Sequence, residues 1–105
     1  MVHYIALYRI RKGTSEEVLE EMIRASRSCF RRINEAHNYR SGRAIDPANS
    51  HGFFLSADFE SLDKYEMFRE DPHYRRFLAE HLEAHCSGSK EYLYETDPGK
   101  DPKYS

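Results

Sequence analysis

The opening stretch VHYIALYRI is an almost unbroken run of β-branched and aromatic residues, which predicts a strand over residues 2–11, closed by Gly13. Beyond it the period changes. In TSEEVLEEMIRASRSCFRRI the residues Val18, Leu19, Met22, Ile23, Ser26, Phe30 and Ile33 recur at helical spacing, so one face of a long helix is apolar. Thr14 followed three positions later by Glu17 has the form of a capping box. Glu16, Glu17, Glu20 and Glu21 come early and Arg24, Arg27, Arg31 and Arg32 late, the order that suits the helix dipole. AHNYRSGRAID predicts a second strand, DPANSHG a turn, and FFLSADF a third strand apolar enough to be central. SLDKYEMFRE and DPHYRRFLAEHLEAH predict a broken pair of helices, with Ser61 and Asp71 as caps and Pro72 at a first helical position. On the second of them Tyr74, Phe77, Leu78, His81, Leu82 and His85 share the inner stripe, and SKEYLYET predicts the last strand. The order is β-α-β-β-α-β, an α+β ferredoxin-like arrangement: a four-stranded antiparallel sheet with its helices on one face.

Composition narrows what such a domain can do. The chain has 105 residues, and residues 1–96 are expected to form one domain followed by a polar tail over 97–105, where two prolines and charged residues leave nothing to bury. A net charge of -2 supplies no field for nucleic acid or anionic lipid, so the arginine run is read as a solvated helix face. No stretch approaches the apolar length of a membrane span, and residues 1–10 lack the pattern of a secretory leader, so the cytoplasm is the expected compartment. Cys29 and Cys86 are too few for a disulfide framework and lie in no metal-ligand spacing; both are expected to be reduced thiols, Cys29 in helix packing.

The first strand also bears on partners. Side chains alternate along a strand, which sets His3, Ile5 and Leu7 on one side and Val2, Tyr4, Ala6, Tyr8 and Ile10 on the other, both largely apolar. This chain's helices can cover only one of those sides. A second copy packing sheet to sheet about a two-fold axis would cover the other and enlarge a small core, so a homodimer is expected.

An ordered set of segments then carries a resemblance. A histidine in an apolar first strand (VHYIALYRI), KGTSEE opening the long helix, SGRAID in strand two, and ADFESLDKYEMFREDPHYRRF across strand three and the broken helix together resemble the stress-responsive A/B barrel, or Dabb, domain over roughly residues 2–96. The resemblance implies a dimeric α+β barrel of two ferredoxin-like subunits. Most members have no assigned reaction. One plant branch, the olivetolic-acid-cyclase-like proteins, closes a polyketide chain without metal or organic cofactor. There a strand-one histidine and the second histidine of an H-P-x-H motif act with a tyrosine. The first of these is carried over here as His3. DPHY places Asp71 and Tyr74 at the two histidine positions of the motif, and Phe68 stands where the branch has its helix tyrosine.

With His73 one position before Tyr74, about 100° around the helix, His73 should face outward when Tyr74 faces the sheet. His3 and Tyr74 are expected to face each other between sheet and helix, as a structural hydrogen bond, a ligand contact or an acid–base pair; a phenol near its reference pKa of about 10 is a poor base at neutral pH. A pocket for a small apolar or aromatic molecule is expected along Ile5, Leu7, Met22, Phe30, Phe53, Leu55, Phe68 and Leu78. The alternative is a cofactor-free enzyme, polyketide-cyclase-like or antibiotic-biosynthesis-monooxygenase-like, using His3 and Tyr74. A structural dimerisation module with a filled core is the third reading. His81 and His85 lie one turn apart without a third ligand in sequence, so neither metal nor cofactor is expected.

Overall fold

A computed structural model of the chain describes residues 1–96; the expected tail over 97–105 lies outside the described residues. Strands β1 (Val2–Ile10), β2 (His37–Arg43), β3 (Phe53–Phe59) and β4 (Cys86–Glu95) form one antiparallel sheet in the order β2-β3-β1-β4. Helix α1 (Glu16–Arg31) follows β1, and α2 (Leu62–Glu70), α3 (Pro72–Phe77), a π-helical turn (Leu78–Leu82) and α4 (Glu83–His85) join β3 to β4. The ferredoxin-like order expected from the sequence is the one observed, with β1 and β3 central.

The cap of α1 differs from the expected one. Ser15, not Thr14, holds the N-cap, and its Oγ accepts from the Val18 backbone N–H at 3.2 Å. Because the helix opens at Glu16, the third helical position is Val18, which cannot return the bond, so no capping box with Glu17 forms. The break between α2 and α3 follows the sequence closely. Asp71, held extended by the proline after it, ends α2 and caps α3, its Oδ1 accepting from His73 N–H at 2.8 Å.

Parity along the strands sorts the sheet. Val2, Tyr4, Ala6 and Tyr8 of β1 and Phe53, Leu55, Ala57 and Phe59 of β3 are buried beneath the helices. His3, Ile5 and Leu7, with Phe54, Ser56 and Asp58, lie on the opposite face, half-buried, where none of the described helices covers them. Between sheet and α1, Ser26 Oγ donates to the Ile23 carbonyl at 2.6 Å and shares a 2.6 Å hydrogen bond with Ser41 Oγ, so a buried hydroxyl pair ties α1 to β2. At the rim, Arg43 of β2 reaches Glu16 and Glu20 of the same helix.

A tyrosine cluster beside a groove under the π-turn

The same parity separates the expected pair. Tyr74 is buried on the helix side of the sheet, whereas His3 is on the other side, where its Nδ1 lies 2.7 Å from Asp58 Oδ1 and its Nε2 2.8 Å from Thr96 Oγ1. Asn38 Nδ2 donates to the second Asp58 oxygen at 3.1 Å, completing a network confined to the outer face. His3 and Tyr74 are therefore not brought together. The strand-one side chain turned toward Tyr74 is Tyr4. His73 is exposed, as its place on the helix requires.

The expected pocket residues also part company. Ile5 and Leu7 lie on the outer face, while Met22, Phe30, Phe53, Leu55 and Phe68 are packed into a filled core. Phe68 is its hub, with ring centroids 4.3 Å from Tyr74, 5.1 Å from Phe59 and 5.7 Å from both Tyr4 and Phe30. Of the expected set, Ile5 borders an opening on the outer face beside His3 and Asp58, and Leu78 borders open space on the helix side.

That space is a groove of 310 Å³ between the π-turn and the start of β4, lined by Tyr8, Leu78, Leu82 and Cys86, with the exposed Arg11 and Glu83 on its wall. Arg11 Nη2 donates to the Glu83 carbonyl at 3.4 Å. In the π-turn the Glu83 N–H bonds back five residues to the Leu78 carbonyl, one residue more than an α-turn spans. Such turns are rare, and they concentrate at functional sites.

Tyr8 joins the groove to a cluster of phenols. Tyr4 donates its hydroxyl proton to Glu91 of β4, and Arg69 Nη1 donates to Glu91 Oε1 at 2.9 Å and to the Tyr74 hydroxyl at 3.3 Å, with its guanidinium carbon 5.6 Å from the Tyr74 ring centroid. The Tyr8 hydroxyl lies beside those of Tyr4 and Tyr74, close enough for the three to influence one another; among the described residues it is the one buried side-chain polar atom without a well-formed hydrogen bond. Leaving such a group unsatisfied costs about 1–3 kcal/mol.

Burial pushes the pKa of all three phenols up. For Tyr4 the neighbouring Tyr8 and Tyr74 add to it, for Tyr8 the neighbouring Tyr74 does, and for Tyr74 the Arg69 charge pulls the other way without reversing it. The cluster is accordingly neutral at ordinary pH, a set of hydrogen-bond donors and not of bases. Desolvation would lower Arg69, but Tyr74, Tyr65 and Glu91 outweigh it and hold the guanidinium charged. The thiols are similarly inert. Burial raises Cys86 to about 11 against the pull of Arg11, and Cys29 to about 12, with Asp71 adding and Arg32 opposing. Among the described residues no three His, Cys, Asp or Glu side chains converge on a common point where a metal would sit.

No family model matches the sequence, and no curated protein matches it either. Solved structures do. A dimeric ferredoxin-like protein of unknown function from Thermobifida fusca YX is 22% identical, with a TM-score of 0.81 over 90% of this chain and 90% of that one. A Dabb family protein with a ferredoxin-like fold from Mesorhizobium loti MAFF303099 is 13% identical, with a TM-score of 0.79 over 90% of this chain and 95% of that one. The chain shares the ferredoxin-like fold of both. A third structure of this fold, a hydroxynitrile lyase from Passiflora edulis, is 18% identical, with a TM-score of 0.79 and 96% of each chain covered. The resemblance in the sequence to Dabb domains thus holds at the level of fold, and a fold of this kind serves more than one purpose.

Sequence reasoning missed Tyr8, Leu82 and Cys86. Tyr4 and Tyr8 do share one side of β1, and that was readable. A π-turn has no sequence signature, so the groove beneath it had none.

Proposed function

We propose that this Dabb-fold protein is a homodimer that binds one small apolar or aromatic molecule between its sheet and its helices. The observation that carries the binding is the groove beneath the π-turn: Leu78, Leu82, Cys86 and the Tyr8 ring offer apolar wall, and its 310 Å³ is at the lower end of the range for small-molecule sites. The dimer is supported by the outer sheet face, where half-buried Ile5, Leu7 and Phe54 have no helix over them, and by the dimeric Thermobifida protein of the same fold. No described helix is long and apolar enough to cross a membrane, and both thiols are free and buried, in keeping with a reducing compartment such as the cytoplasm.

The binding is tested with ethylbenzene as probe, followed by amide chemical shifts. Saturable shifts centred on Leu78, Leu82 and Cys86 are expected, abolished in Leu78→Trp, whose indole would fill the groove. Shifts that stay linear with concentration, or that scatter over the surface, would overturn the site.

The hydroxynitrile lyase of the same fold favours a second reading, catalysis without a cofactor. In it Tyr74, beside the Arg69 guanidinium, relays the proton, giving its own to the leaving cyanide as it takes that of the cyanohydrin hydroxyl, and His3 lies on the far face. Mandelonitrile separates the two readings, since its cleavage gives benzaldehyde and hydrogen cyanide. The binding reading expects no benzaldehyde above the uncatalysed rate, whereas release that is lost in Tyr74→Phe would establish the second.

A further inference from the structure

We propose that the cleft between α1 and α3 is a second binding site, which takes inorganic phosphate or a phosphoryl group between the guanidiniums of Arg32 and Arg76. The cleft shares no lining residue with the groove under the π-turn, so it stands or falls independently of the reading above.

The cleft has a volume of 150 Å³ and two walls. Ser28, Cys29 and Arg32 come from α1 and its C-cap, at the spacing of three and four that puts them on one face; His73 and Arg76 come from α3, and His81 from the π-turn. Cys29 and Phe77, both buried, close it on the inside. The His81 ring stacks on that of Phe77 at a centroid separation of 5.4 Å, which holds the imidazole against the wall.

Charge makes this cleft attractive to an anion, although the chain as a whole carries -2. Two guanidiniums line it against one carboxylate, Glu80, whose Oε1 lies 3.7 Å from Arg76 Nε in a largely exposed pair that contributes little. Arg32 takes part in no ion pair among the described residues. Asp71, whose charge reaches Cys29, is not in the lining, and its Oδ1 is engaged by the His73 N–H. The Cys29 thiol, which burial raises to about 12, stays neutral and adds no negative charge.

Shape selects among anions. Even a neutral imidazole has one N–H to give, and Ser28 offers a hydroxyl, so both walls carry donors. A tetrahedral oxyanion sends oxygens to both walls at once and matches the guanidinium forks, whereas a planar carboxylate has its two oxygens at one end. Because Arg32, His73 and Arg76 are exposed, the anion keeps contact with water and exchanges readily.

The test titrates inorganic phosphate, phenyl phosphate and acetate into the full chain at constant ionic strength, followed by amide chemical shifts. Inorganic phosphate is expected to reach half-saturation at about 10 mM or below, with shifts centred on residues 28–32 and 73–81. Arg32→Gln and Arg76→Gln should each weaken it about fivefold, and both side chains are exposed, so neither change disturbs the core. Arg27→Gln, on the same helix but outside the cleft, should leave it unchanged. Phenyl phosphate binding no more tightly than inorganic phosphate supports the free ion as occupant; a gain of more than about threefold supports an esterified phosphoryl group. Shifts that stay linear with concentration, or affinity that falls as much in Arg27→Gln as in Arg32→Gln, overturn the site. Acetate saturating the same amides as tightly as phosphate overturns the choice of a tetrahedral oxyanion.

Discussion

Phe68→Ala should lose about 3–5 kcal/mol of stability in a denaturant titration at 25 °C, the usual cost of emptying a phenyl ring from a close-packed core. Domains of this size hold about 5–15 kcal/mol in all, so the variant is expected to be partly unfolded at room temperature. Phe68 is fully buried, and its ring meets Tyr74, Phe59, Phe30 and Tyr4 at centroid separations of 4.3 to 5.7 Å, so one deletion leaves four rings facing a hole. Met67 is 50% exposed on the same helix and supplies the control: Met67→Ala should stay within about 0.5 kcal/mol of the wild type. The experiment also decides between two uses of the residue. A side chain lining a ready-made cavity has fewer contacts to lose, so a cost below about 1 kcal/mol would return Phe68 to the wall of a binding pocket, where the sequence alone had placed it.

That difference shows where sequence reasoning reaches its limit. The strands, the long helix and the broken helix pair were legible because each rests on a local rule: alternation in β1, an apolar stripe at helical spacing in α1, and Asp71–Pro72 as a stop and a start. The two sides of β1 were legible as well. Which side the helices would cover was not, since both are apolar and only packing chooses. Assigning that choice through a resemblance put His3 toward Tyr74, whereas the sheet turns Tyr4 there and leaves His3 with Asp58 and Thr96. A one-residue slip in a strand exchanges its faces, so an expectation about a site is far more fragile than one about a fold. In the same way Met22, Phe30, Phe53, Leu55 and Phe68 were correctly seen as inward-facing and apolar; that they fill space and do not enclose it is a matter of volume, which no periodicity records.

Leu7→Asp is expected to separate the subunits. Leu7 stands on the outer face of central strand β1, opposite Phe54 of β3 and Lys90 of β4, with Ile5 beside it on the same strand, and the helices leave this surface uncovered. In a two-fold interface each substitution occurs twice, so the dimer would have to bury two carboxylates, each with Lys90 of the exposed strand β4 as its one cross-strand cation. At about 2–3 kcal/mol each, the dissociation constant rises more than a thousandfold, and sedimentation at micromolar concentration should change from dimer to folded monomer. Leu62→Asp introduces the same charge at a 53% exposed position on α2, on the helix side, and should leave the dimer intact. The comparison isolates the sheet face from charge as such. A wild-type chain that sediments as a well-folded monomer at that concentration would mean that Ile5, Leu7 and Phe54 stay in water at no decisive cost. The face would then need a different cover or none, while the groove on the helix side, formed within one chain, would be untouched.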